Sequence, residues 1–71
     1  MRYLVEKFYG YNSSGVALYY AEIAGDSGET KPTKSSNGEG LLIGGSLFFE
    51  TDTGKNYILD EATGDWVDYP A

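Results

Sequence analysis

Four carboxylates near the C-terminal end are the first place to look for chemistry. Asp52, Asp60, Glu61 and Asp65 gather around two turns, and paired carboxylates can act as acid and base on a glycosidic bond. That reaction needs one carboxyl whose pKa is raised by burial. A chain of 71 residues without a long helical pattern offers little core to bury it. Serine and threonine are frequent, but there is no histidine and no cysteine, so a nucleophilic triad lacks its base and its thiolate. The same absence removes disulfides, thiolate metal sites and imidazole ligands. Carboxylates alone could hold a hard cation, yet the alternating acidic spacing of an EF-hand loop is missing. Thr53-Gly54-Lys55 ends like a phosphate loop but lacks the upstream glycine, and no helix pattern follows it. The residue types therefore predict no enzyme, no cofactor and no metal site. Tyr57, Trp66 and Tyr69 are a second kind of candidate. They could form a stacking platform for a sugar, as in small carbohydrate-binding modules, but at this spacing they are more often core or interface residues.

These residues sit in a region, 45–69, that reads as a three-stranded antiparallel meander. Three apolar-aromatic runs, 47–50, 57–59 and 66–69, are separated by polar connectors that each contain Thr-Gly. Asp52 and Asp60 can fold their carboxylates onto backbone amides two residues on and so start a turn. Gly54 and Gly64 can then take the positive φ that closes it. The ten-residue spacing of the Thr-Gly pairs fits strands of about five residues joined by loops of four or five. Leu47, Phe49 and Thr51 share one face of the first run, and Phe48 and Glu50 the other. Phe49, Tyr57 and Trp66 are the expected core anchors, with Asp52, Gly54 and Gly64 shaping the turns.

The N-terminal third, 1–24, supplies two more strands. Residues 2–9 alternate without a cleanly polar face, so this strand is expected to be covered on both sides or to lie at a subunit contact. A turn cluster at 10–15 leads to a second run, 16–23, read as a strand, with a short helix as the alternative. Residues 25–44 form a long arm or loop, whose stretch 24–40 is polar with almost no apolar side chain. Pro32 holds Lys31 extended, and a free tip is expected at 35–40. So long a connection in so small a domain is uncommon unless it binds something. It reads either as an arm laid on a neighbour through Lys31, Pro32 and Thr33, or as a flexible link. Leu41, Leu42 and Ile43 follow as an edge strand or as an anchor that seats the arm. The fold class is all-β: one small domain over residues 1–71, an antiparallel sheet or sandwich with a C-terminal meander and a polar arm.

Eleven acidic residues against five basic ones give a net charge of −6. That argues against nucleic acid, whose binding draws on phosphate neutralisation, and against an anionic membrane surface. No apolar run approaches the roughly 20 residues of a spanning helix, and Glu6 and Lys7 interrupt the start too soon for a signal peptide. A chain this short buries only about 60% of its unfolded surface, and without disulfides or a metal the expected source of further stability is a partner subunit.

The ordered set Thr30-Lys31-Pro32-Thr33, then Gly45-Ser46-Leu47-Phe48-Phe49-Glu50-Thr51-Asp52-Thr53-Gly54-Lys55-Asn56-Tyr57, then Asp60 and Trp66-Val67 resembles small virion-associated structural proteins of tailed bacteriophages. It covers roughly residues 30–67. The resemblance implies a non-enzymatic piece of a virion, made in the host cytoplasm. Such a piece would decorate or cement capsid, tail or fibre components, with other virion proteins or its own copies as partners.

Overall fold

The alternating N-terminal run becomes a hairpin. In the computed structural model, which describes residues 1–70, β1 (Arg2–Tyr11) and β2 (Ala17–Gly25) pair antiparallel. The turn between them is closed by Asn12, whose Oδ1 accepts from the Ser14 and Val16 amides at 2.9 Å each. Bulges at Tyr3/Val5 and Phe8/Gly10 interrupt the ladder. Four shorter strands follow: β3 (Leu41–Leu42), β4 (Leu47–Glu50), β5 (Asn56–Leu59) and β6 (Trp66–Asp68). The protein is all-β, with no helix among the described residues. The strands lie in the order β1-β2-β4-β5-β6, and β3 flanks the first part of β2.

The meander forms as the spacing predicts, and its two turns are one structure used twice. The amide of Gly54 donates to the Glu50 carbonyl, and that of Gly64 to the Asp60 carbonyl, at 2.8 Å each. Their φ angles are 76° and 75°, a region open to glycine at little cost. Asp60 caps its turn through the Ala62 amide and the Thr63 hydroxyl. Asp52 does not play this part. The repeat aligns Asp60 with Glu50, and it is Glu50 that accepts from the Thr53 hydroxyl (2.7 Å). Asp52, aligned with Ala62, reaches away to the amide and hydroxyl of Ser27 (2.9 and 2.6 Å).

The join between hairpin and meander is parallel, where an antiparallel sheet was expected. Leu18 and Tyr19 pair with Leu41 and Leu42, and residues from Glu22 to Gly25 pair with those from Leu47 to Glu50, all in the same direction. Residues 26–40 carry the chain back along β2 before β3 begins. A crossover of a dozen or more residues is what parallel neighbours require. Between β3 and β4 the ladder is patched. Ile43 donates to the Tyr19 carbonyl (2.8 Å), and Ala21 donates to Ser46 Oγ (3.2 Å). That bond satisfies a serine with no exposed surface.

The crossover lies on its own sheet, which corrects the reading of Lys31, Pro32 and Thr33 as an arm reaching a neighbour. Lys31 Nζ pairs with Glu50 at 2.7 Å and stands 4.2 Å from the centroid of the Tyr57 ring and 5.0 Å from that of Phe48. The Pro32 carbonyl accepts from Trp66 Nε1 (2.9 Å), the Thr33 carbonyl from the Leu42 amide (2.9 Å), and the Lys34 carbonyl from the Tyr3 hydroxyl (2.8 Å). The expected free tip is also tied in, because Glu6 accepts from the amide and the hydroxyl of Ser36 at 2.7 Å each. Leu41 and Leu42 serve as both edge strand and anchor, and Ile43 is half-buried. Beneath the crossover lies the core of Ala21, Ile23, Leu42, Phe48 and Leu59, flanked by Tyr3, Tyr19, Tyr57 and Trp66. Phe49 is not part of it. Phe48 has no exposed surface, and Phe49 is 43% exposed on the opposite face.

Candidate interaction surface

The strand register sorts the side chains into two faces, and only one is covered. Residues directly opposite one another in a ladder project to the same side. Tyr3, Ile23, Phe48 and Tyr57 make one row across four strands, under the crossover. The next row, Val5, Glu22, Leu47, Ile58 and Val67, crosses all five strands on the other side. Beside it runs Arg2, Ala24, Phe49 and Asn56. No segment of the described chain lies over these two rows. Leu4, Phe49, Val67 and Tyr69 are 52%, 43%, 40% and 49% exposed. An open groove of about 290 Å³ runs between them, lined by Leu4, Leu47, Phe49, Asn56 and Tyr69. An antiparallel sheet with one free face ordinarily makes that face polar. Here both faces are apolar, which is what residues 2–9 already suggested.

The charges on this face are few. Arg2 and Lys7 are its cations and Glu22 its acid, by their pairing with Ala24, Tyr20 and Val5. Glu22 accepts from the Tyr20 hydroxyl at 2.7 Å, and that bond pushes the Tyr20 phenol up to about 12. The remaining acids belong to the turns, the crossover side and the β1 side under the crossover.

The sequence candidates for chemistry are dispersed by the fold. The hydroxyl of Ser27 holds the Asp52 carboxyl below its ordinary value, so Asp52 stays ionised and has no proton to give near neutral pH. Asp60 is engaged in its own turn. Among the described residues no group of three or more acids could hold a metal ion, and no helix is long and apolar enough to cross a membrane. The sugar platform does not assemble either. Tyr57 lies under Lys31, and Trp66 packs edge-on against Phe48 at 5.9 Å with its Nε1 bound to Pro32. Only Tyr69 of the three is exposed. Sequence reasoning passed over Leu4, Leu47, Ile58 and Val67 as site residues. The available signal was that both faces of β1 and of the meander strands carry apolar residues. No protein-family model, curated protein or solved structure matches the chain.

Proposed function

We propose that this chain is a non-enzymatic structural protein that joins a larger protein assembly through the uncovered face of its sheet, and that the assembly is a bacteriophage particle. The observation that carries the docking reading is the five-strand row of Val5, Glu22, Leu47, Ile58 and Val67, with Phe49 and Tyr69 beside it and nothing from its own chain over it. A contiguous apolar patch of this kind on a small chain marks an interaction site. The occupant is a protein, because the face offers two cations and one acid where a nucleic acid would need a basic surface. The virion setting rests on the ordered motifs of residues 30–67. The arm residues of that pattern are spent on the chain's own core, so decoration or cementing proceeds through the sheet face.

The test is retention in particles. The chain is expected to co-purify with density-banded particles from the producing culture, and Phe49→Glu with Val67→Glu is expected to leave it in the free fraction. Particles that lack the wild-type chain, or that retain the double variant at wild-type level, overturn the reading. A second reading, binding of a neutral glycan, is favoured by one observation. Phe8, Tyr9 and Tyr11 are 56%, 68% and 70% exposed at the hairpin end, in a stretch, 8–21, that carries no charge. Glycan-array binding lost on Tyr9→Ala and Tyr11→Ala decides for it.

A further inference from the structure

The uncovered face needs an occupant, and its shape and charge select one. The molecule is a slab, 36 × 24 × 17 Å. Its sheet has a second layer on one side, the crossover, and none on the other. Apolar sheets bury such a face by stacking a second sheet about 10 Å away. The outline of the whole slab seen face-on encloses roughly 700 Å², of the same order as the ~800 Å² of accessible surface that each partner buries in a standard stable interface. A short peptide would cover the groove and leave the ends of the row wet. A strand added at an edge would not touch the face at all. The edges are poor templates in any case, because β1 is bulged twice and β6 is three residues long.

We infer that the partner on this face is a second copy of the same chain, the two sheets packing face to face as a two-layer sandwich. This rests on the docking reading above and names the partner in it. Charge permits the pairing. Each copy carries a net charge of −6, yet among the described residues the rows of this face carry Arg2, Lys7 and Glu22. Glu29, Glu50 and Asp52 belong to the crossover side, so two copies meet with these acids turned outward. Each face brings a net charge of about +1 to the contact, so the −6 of each chain does not oppose the pairing at close range. β4 is the middle strand of the order, so Leu47 and Phe49 lie nearest the axis and meet their own mates.

Sedimentation equilibrium of the whole chain tests this, alongside one cysteine variant. The wild type is expected at twice 7.7 kDa in the micromolar range. Phe49→Glu and Val67→Glu should each weaken the pairing at least about tenfold, with far-UV circular dichroism of the dilute variants unchanged. Because the contact is apolar and the copies repel at long range, raising salt should strengthen it. The chain has no cysteine, and sheets about 10 Å apart are too far for a direct disulfide, so Phe49→Cys should be joined to its mate by a short bismaleimide crosslinker, whereas Ser13→Cys at the hairpin turn should not. A wild type that stays monomeric up to about 1 mM overturns the inference. So does a dimer weakened by salt, or one indifferent to both glutamate variants and lost on Tyr9→Ser. A monomeric wild type whose face variants still drop out of particles sinks self-pairing alone. Face variants retained in particles sink the docking reading, whatever the oligomeric state.

Discussion

Phe48 and Phe49 are neighbours in sequence on opposite faces, and truncating each separates the structural face from the docking face. Phe48 is fully buried. It packs edge-on against Trp66, lies beside Ile23 and Tyr57 in its row, and sits beneath Lys31. Phe48→Ala removes that contact and leaves a cavity, at a cost of about 3–5 kcal/mol. Small domains are stable by about 0.05–0.15 kcal/mol per residue, or roughly 4–10 kcal/mol for a chain of this length. The substitution therefore removes a third or more of the stability. At about 4–8 °C per kcal/mol in a domain of this size, the melting temperature falls by at least about 12 °C. Phe49→Ala loses only the shielded part of its ring and opens no enclosed cavity, so about 1 kcal/mol and a shift of about 4–8 °C are expected. Melts followed by circular dichroism, at a concentration where sedimentation shows each protein monomeric, give both numbers. Phe48→Leu serves as the milder variant if Phe48→Ala does not fold. Equal shifts for the two alanine variants, or a larger one for Phe49→Ala, would refute the assignment of faces and with it the docking surface.

Three further outcomes follow from the same contacts. Gly54→Val places a β-branched residue at a φ of 76° and should cost about 1–2 kcal/mol; an unchanged melting temperature shows that the turn is misread. Trp66→Phe deletes the bond to the Pro32 carbonyl, worth about 0.5–1.5 kcal/mol. It should also speed amide exchange at Leu42, which donates to Thr33 under the same crossover; unaltered exchange there means that Trp66 does not hold the crossover. The Glu50 carboxyl is held below its ordinary value of 4.5, first by the hydrogen bond from Lys31 and then by that from Thr53. A depressed folded-state pKa contributes stability above the unfolded value and loses it as pH falls through the folded one. The melting temperature should hold from neutral pH to about 5 and drop below about 4.5, and less steeply in Glu50→Gln. An identical slope in that variant excludes Glu50 from the acid response.

What could be read from the sequence was local. Thr53-Gly54 and Thr63-Gly64 announce their turns because the backbone geometry depends on one glycine and its immediate neighbours. The strands between them follow from the spacing. Which face of residues 47–50 turns inward was not readable, because Leu47 and Phe49 are as apolar as Phe48. The deciding partner, Lys31, lies nineteen residues away on Glu50. The same blindness gave the carboxylate cap to Asp52, although the ten-residue repeat itself, aligning Glu50 with Asp60, already pointed to the right acid. The parallel join was hidden for a related reason. Nothing within residues 26–40 states which way they run, and the direction is set by where Leu41 and Leu42 find β2.

The crossover shows how a segment without apolar side chains can still close a core. Residues 26–40 bury little surface of their own, and by composition they belong to a loop. They cover the sheet with backbone. Three consecutive carbonyls, from Pro32 to Lys34, accept from Trp66, Leu42 and Tyr3. These bonds satisfy the polar ends of two aromatic side chains that would otherwise have to reach water. The lysine between the rings of Phe48 and Tyr57 adds an aliphatic stem over the core and a charge that Glu50 answers. A cover built this way is specific to one face, because Tyr3, Trp66 and Glu50, which hold it, all reach the crossover from that face. With one crossover among the described residues and apolar rows on both sides of the sheet, the second face has no cover of its own.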